Sequence, residues 1–271
     1  MRLVIHNDYL GLCQWAAAYI VKRIKDYTPL EDKPFILGLP TGSTPLGVYK
    51  ELIRLHNEGI ISFAKVVSFN MDEYVGISRD HPQSYAYFMY ENLFKFIDIK
   101  AENTHILNGV AGNLEKECQD YESCIRSYGG IELFLGGVGK NGHIAFNEPG
   151  SSLVSRTRIK PLSMDTRMAN ARFFNGDVNK VPAAALTVGI GTIMDAREVL
   201  ILVSGRDKAR ALKAAVEGGV SHWHPLSCLQ MHPKAIIVCD KEAVEELQAG
   251  TVRYFQEIMN SEQLTINSEE G

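Results

Sequence analysis

The chain is short of everything that would cross-link it or tie it to a membrane. Its 271 residues hold five cysteines, Cys13, Cys118, Cys124, Cys228 and Cys239, at irregular spacings and without a CxxC pair, which excludes a disulfide framework and a zinc ribbon. Cys13, Cys228 and Cys239 lie in apolar stretches and read as small core residues, and the usage fits a reducing cytoplasm. No run approaches the ~20 apolar residues a membrane span needs. The best apolar run near the start, Trp15 to Val21, stops at Lys22-Arg23 inside an amphipathic pattern, so no secretory signal is expected. There is no excess of basic residues either: 28 Lys and Arg against 32 Asp and Glu give a net charge of -4. That argues against binding to nucleic acid or to an anionic membrane, while a locally positive pocket for a small anion stays open.

What is present is a regular alternation. Short apolar runs at Leu3 to Ile5, Phe35 to Leu39, Val66 to Asn70, Thr104 to Leu107, Ile131 to Leu135, Leu186 to Val188, Val199 to Val203 and Ala235 to Val238 read as strands. Between them, helical periodicity covers the stretch after Asn7-Asp8 and residues near 45–58, 83–95, 113–127, 205–217 and 241–259. Near-continuous apolar strands are what a parallel sheet covered on both faces requires. The expectation is a doubly wound, mostly parallel α/β sheet, Rossmann-like, with helices on both faces. No repeat or Pro/Gly/Ser linker divides the chain, so one domain is expected over residues 1–259, with a polar tail over 260–271. Residues 151–182 break the rhythm: they are polar, carry Arg156, Arg158, Lys160, Arg167 and Arg172, show no convincing strand, and suggest a lid over about 160–182.

Three segments carry chemistry. Thr41-Gly42-Ser43-Thr44-Pro45 lies between a buried strand and a helix, where free amides and the helix dipole favour an anion; it reads either as a phosphate loop or as a plain capped connection. It is not a Walker A loop, since no Gly-Lys-Ser/Thr follows. Gly137-Val138-Gly139-Lys140-Asn141-Gly142 matches the spacing of a dinucleotide fingerprint, but His143 to Pro149 follows in place of a helix, so the glycines read as a pocket floor. His143 and Glu148 form a base–orienter candidate, with a structural hydrogen bond as the alternative. Asp72 and Glu73 end another strand at the same sheet edge, as solvated loop charges or as a general base whose proton affinity its surroundings adjust. His222 and His224 could face one way on a strand, but without further ligands no metal is expected. Met164, Met168 and Met194 read as gap-fillers in the core or lid.

Taken together, LPTGSTP at 39–45, FNMDEYVG at 69–76, GGVGKNGHIAFNEPGSSLVSRTR at 136–158, ALTVG at 185–189, AAVEG at 214–218 and HPKAIIVCD at 232–240 resemble the glucosamine-6-phosphate deaminase family, in register from Met1 to about Met259. The wider superfamily includes 6-phosphogluconolactonases. The resemblance implies a cofactor-free, reversible conversion of D-glucosamine 6-phosphate and water into D-fructose 6-phosphate and ammonia. It gives His143 ring opening, supported by Glu148, and Asp72 the C2 proton, through an enolamine. It places the substrate phosphate at Thr41, Gly42, Ser43, Thr44, Arg172 and Lys208. It also implies a cytoplasmic hexamer and an effector, N-acetylglucosamine 6-phosphate, held by Ser151, Arg158, Lys160, Pro161 and Tyr254.

Two positions depart from the family pattern. Asn141 stands where well-known members carry an aspartate that assists the histidine, and its amide can orient an imidazole without adding charge. Pro161 replaces a hydroxyl residue of the allosteric members and removes a backbone donor. A lactonase or an isomerase of another phosphosugar is the competing enzyme, and a noncatalytic sugar-phosphate sensor the competing class; a sensor would have no use for a base such as Asp72.

Overall fold

The computed structural model describes residues 1–269, with side chains through Ser261. Along the chain run β1 (Arg2–His6), α1 (Tyr9–Tyr27), β2 (Phe35–Leu39), α2 (Leu46–Asn57), β3 (Val66–Asn70), β4 (Asp72–Tyr74), α3 (Tyr85–Asn92), β5 (Thr104–His105), α4 (Leu114–Ser127), β6 (Leu133–Gly137), β7 (Arg158–Pro161), α5 (Met164–Asn170), β8 (Ala184–Thr187), α6 (Ile190–Met194), β9 (Glu198–Val203), α7 (Ala209–Val216), β10 (Ala235–Asp240) and α8 (Ala249–Glu269). Seven strands form one parallel sheet in the order β1-β10-β9-β6-β2-β3-β5.

Alternation along the central strands explains why helices cover both faces. Leu200 and Leu202 of β9 join Leu37, Leu133 and the buried stripe of α1 in one core, whereas Val199, Ile201 and Val203 join Ile36, Phe134 and residues of α4, α6 and α7 in the other. α1 starts as its sequence dictates, with the Asp8 carboxylate accepting from Gly11 N at 2.8 Å.

Three expectations need correction. The polar stretch read as strandless contains β7, and the run at 186–188 is not in the main sheet. Instead β4, β8 and β7 form a second, antiparallel sheet, with Asp72 opposite Thr187 and Thr187 opposite Arg158. Their pleat closes over a separate cluster of Tyr74, Phe146, Leu162, Ala171, Phe174, Val181 and Ala185; β7 was hidden because its own side chains are only half-buried. The last helix begins at Ala249 and its backbone takes in the expected tail as far as Glu269; residues 270–271 lie outside the described residues.

Candidate active site

Asp72 and Glu73 are adjacent on β4, and strand alternation sends them opposite ways. Glu73 is a helix cap. Its carboxylate accepts from Tyr74 N, Tyr85 N and Ala86 N at 2.8, 2.9 and 3.0 Å, satisfying the free amides that open α3. Burial raises the Glu73 carboxyl, and these three donors oppose the rise. Among the described residues no donor reaches the carboxylate of Asp72, which is only 7% exposed. Burial first, and the neighbouring Glu73 charge second, push it up to about 8. The phenols of Tyr49, Tyr74, Tyr85 and Tyr121 around it are raised by their own burial and further by its charge. Asp72 is therefore a buried carboxyl able to hold or release a proton near neutrality.

The turn after β6 places the second group. A Cβ at Gly139 would lie 2.0–2.3 Å from three His143 ring atoms, so the imidazole rests directly on glycine backbone, and Gly142 turns the chain at φ +87°. The turn then closes by a bridge between Ile144 and Asn147, with Ala145 left-handed at φ +52°, and no helix follows. The third element of a dinucleotide site is missing, as the sequence implied. Phe146 N donates to Thr187 Oγ1 at 3.1 Å, and Thr187 is the partner of Asp72 in the second sheet. One threonine thus joins the two halves of the site.

His143 and Glu148 do not form the direct pair expected. Their nearest atoms, Nδ1 and Oε2, are 3.7 Å apart, too long for a hydrogen bond. Asn141 stands between them, its Nδ2 donating to Glu148 Oε2 at 2.8 Å and its Oδ1 lying 2.7 Å from His143 Nδ1. A carboxylate only accepts, so the amide NH2 must face Glu148 and the amide oxygen His143. His143 Nδ1 must then carry the hydrogen, leaving the lone pair on Nε2. Burial would raise the Glu148 carboxyl, but the facing imidazole, the Thr166 hydroxyl and the Asn141 amide outweigh it and hold the group down at about 2.

Cations gather around Lys208. Lys208 is half-buried at the start of α7; burial lowers its proton affinity, the Asp207 charge opposes this, and Lys140 and Arg172 lower it further. Lys140 was not singled out in the sequence, although it lies inside the glycine turn. Asp240 fixes the loop that presents Lys208, its carboxylate accepting from Ser204 Oγ at 2.5 Å, Gly205 N at 3.1 Å and Ala243 N at 2.9 Å. Across β6, the turn of Thr41, Gly42 (φ +108°), Ser43 and Thr44 leads into α2. Tyr9 pins it, donating to Thr44 O at 2.8 Å and accepting from Gly47 N at 2.9 Å.

The residues assigned to an effector are not assembled within one chain. Arg158, Lys160 and Pro161 share β7, and Ser151 follows the His143–Glu148 turn with a buried hydroxyl that has no hydrogen-bond partner among the described residues. Tyr254 is 58% exposed on α8, which packs along β1 at the far edge of the main sheet. Among the described residues no hydrogen bond, ion pair or ring contact links it to the other four. No group of three or more His, Cys, Asp or Glu among the described residues is arranged to hold a metal, and none of their helices is long and apolar enough to cross a membrane.

Comparison with known proteins gives the family. The family described as glucosamine-6-phosphate isomerases/6-phosphogluconolactonase matches residues 8–238. Proteins named glucosamine-6-phosphate deaminase from Borreliella afzelii (strain PKo) and Bacteroides thetaiotaomicron are each 60% identical over 258 residues, 95% of this chain and 96% of theirs. The namesake from Treponema denticola is 61% identical over the same span. The solved structure of a monomeric glucosamine-6-phosphate deaminase superimposes with a TM-score of 0.86 at 42% identity, covering 90% of this chain and 98% of that one. A 6-phosphogluconolactonase from Trypanosoma cruzi, 21% identical with a TM-score of 0.73 over 92% of this chain and 97% of its own, shares the fold. With most of its length matched by the family and nearly all of it by these relatives, the chain belongs to the glucosamine-6-phosphate isomerase/6-phosphogluconolactonase family.

Proposed function

We propose that this chain converts D-glucosamine 6-phosphate and water into D-fructose 6-phosphate and ammonia. The observation that carries the reading is the pairing, through Thr187, of a proton-holding Asp72 with an imidazole whose free nitrogen is fixed. His143 Nε2 takes the proton of the sugar O1 hydroxyl and returns it to the ring oxygen as the C1–O5 bond breaks. Asp72 then removes the C2 proton; its electron pair forms the C1–C2 double bond as the C1=O pair moves to O1, which takes a proton from the substrate ammonium, giving an enolamine. The nitrogen lone pair then forms C2=N as Asp72 delivers its proton to C1. Water adds to the resulting C2 imine and ammonia leaves. For the C2 proton abstraction Asp72 must be ionised, and the cationic amine of the substrate beside it favours that form. Arg172, Lys208 and Lys140, with the hydroxyls and amides of Thr41 to Thr44, suit the phosphate, and residues 160–182 act as the lid.

A coupled assay for ammonia and fructose 6-phosphate tests this. Stoichiometric release of both is expected; hydrolysis of a phosphogluconolactone without ammonia release from the amino sugar would replace the reading with the lactonase one.

The finer readings belong here as proposals. A site containing Ser151, Arg158, Lys160, Pro161 and Tyr254 needs Tyr254 from a second copy, so N-acetylglucosamine 6-phosphate binding goes with a homo-oligomer, a hexamer as the family pattern implies. The chain is read as cytoplasmic, in keeping with its unpaired cysteines. Sedimentation with and without the effector checks the assembly, since one relative is described as monomeric. A titration of initial rates on the parent and Arg158→Ala checks the site; coupling is expected at the low end of the usual range because Pro161 offers no donor.

A further inference from the structure

The hydrogen bonds that end on Glu148 do not stop at the catalytic turn. Glu148 Oε1 accepts from the hydroxyl of Thr166, which lies on α5 of the lid. Thr166 Oγ1 in turn accepts from Ser163 Oγ at 3.0 Å, and Ser163 caps the same helix by accepting from Thr166 N at 3.2 Å. α5 has no apolar anchor of its own: it buries no residue, and Met164 and Met168 are 57% and 62% exposed. Arg167 reaches only Val178, another lid residue. Among the described residues, the Thr166–Glu148 bond is the one hydrogen bond by which α5 leaves the segment 158–182.

We propose that Thr166 is a positioning residue for ring opening: with the lid seated, its hydroxyl clamps Glu148 against Asn141 and thereby holds His143 in the tautomer that offers Nε2. The inference rests on the function proposed above but has its own physical chain. Glu148 holds the NH2 end of the Asn141 amide at 2.8 Å, because a carboxylate only accepts. Among the described residues, the one other contact favouring this orientation is the longer bond from the His143 backbone N–H to Oδ1 at 3.3 Å. Once Thr166 withdraws, Oε1 has lost its donor and the carboxylate can rotate towards water. An Asn141 freed to flip would present its NH2 to His143 Nδ1, forcing that nitrogen to accept and moving the hydrogen to Nε2. The base would then be masked with the imidazole ring still in place. Lid closure and competence for ring opening become one event.

The test uses the full chain as Thr166→Val, which keeps the shape and removes the donor, and Thr166→Ser, which restores the hydroxyl. Imidazole 15N spectra, with the His143 signals identified by their loss in His143→Gln, report the tautomer directly. The parent and Thr166→Ser should show Nδ1 protonated, and Thr166→Val a shift towards the other tautomer. Turnover of glucosamine 6-phosphate should fall in kcat by about tenfold in Thr166→Val, as the loss of one hydrogen bond to a charged group implies, with KM changed less and Thr166→Ser within about twofold of the parent. Unchanged His143 spectra in Thr166→Val, or equal losses in both variants, would overturn the proposal. If the parent itself releases no ammonia, the functional reading falls, while the spectra still decide whether Thr166 sets the tautomer.

Discussion

Asp72 and Glu148 are both carboxylates withdrawn from water at the carboxyl edge of one sheet, and their surroundings drive them in opposite directions. Asp72 follows a strand, is buried beside another acid and meets no donor among the described residues, so its proton is held up to about 8. Glu148 ends a glycine-shaped turn where the facing His143 imidazole, the Thr166 hydroxyl and the Asn141 amide outweigh its burial, so its charge persists down to about 2. Burial penalises both charges, and the donors decide which charge survives. One carboxyl is built to carry a proton, the other to stay ionised and orient. Glu73, beside Asp72, completes the contrast: also buried, it spends its oxygens on backbone amides.

The largest effect expected from breaking this contrast is in the rate. Asp72→Asn should lower ammonia release by about 100- to 10,000-fold while sugar-phosphate binding persists, because a positioned general base contributes on that scale. Glu73→Gln should instead cost stability, about 1–2 kcal/mol through the weakened cap of α3, with kcat changed only a few-fold. Denaturant titration and steady-state rates on the two variants separate these outcomes. Similar rate losses in both would erase the distinction between base and cap.

Next in size is the cationic edge. Arg172→Ala and Lys208→Ala should each weaken binding of phosphorylated sugar by about 10- to 100-fold, the worth of a charge-assisted hydrogen bond, with little effect on free glucosamine. Calorimetry with both ligands checks this, and equal losses for the two would assign these side chains to lid position instead of phosphate.

Smaller effects follow from pH, and their signs are opposite. A folded carboxyl raised from its ordinary 3.8 to about 8 loses stability as pH climbs between those values. Asp72→Asn should therefore gain stability over the parent as pH rises from 4 to 8, by on the order of a few kcal/mol. The free enzyme's kcat/KM should rise towards a plateau near pH 8. Glu148, lowered from 4.5 to about 2, contributes stability that is complete above the ordinary range and lost as pH falls through that interval. Glu148→Gln should be the less stable protein at pH 7 and approach the parent in acid, which thermal unfolding across pH would reveal.

Much of this was legible in the sequence, for physical reasons. β2 and β3 are buried on both faces, and their bounds agree residue for residue with the runs read from the sequence. Asp8 as the cap of α1 and the glycines around His143 were also readable, because each meets a purely local demand. What escaped depends on distant partners. β7 has no apolar pattern and exists because β8 pairs with it. Glu73 is a cap because residues 12 and 13 positions later fold back onto it. Thr166, Thr187 and Lys140 are ordinary residues until the fold aims them at Glu148, Phe146 and Lys208. The candidate residues were visible; the contrast between their carboxylates was not, since that lies in which donors arrive.

The most direct test of that division is a 13C titration of the side-chain carboxyls, assigned with Asp72→Asn and Glu148→Gln. The account predicts one carboxyl titrating near pH 8 that disappears in Asp72→Asn, and another that stays ionised down to the acid limit of the fold and disappears in Glu148→Gln. Asp72 titrating in the ordinary carboxylate range, or Glu148 taking up a proton near neutrality, would contradict it.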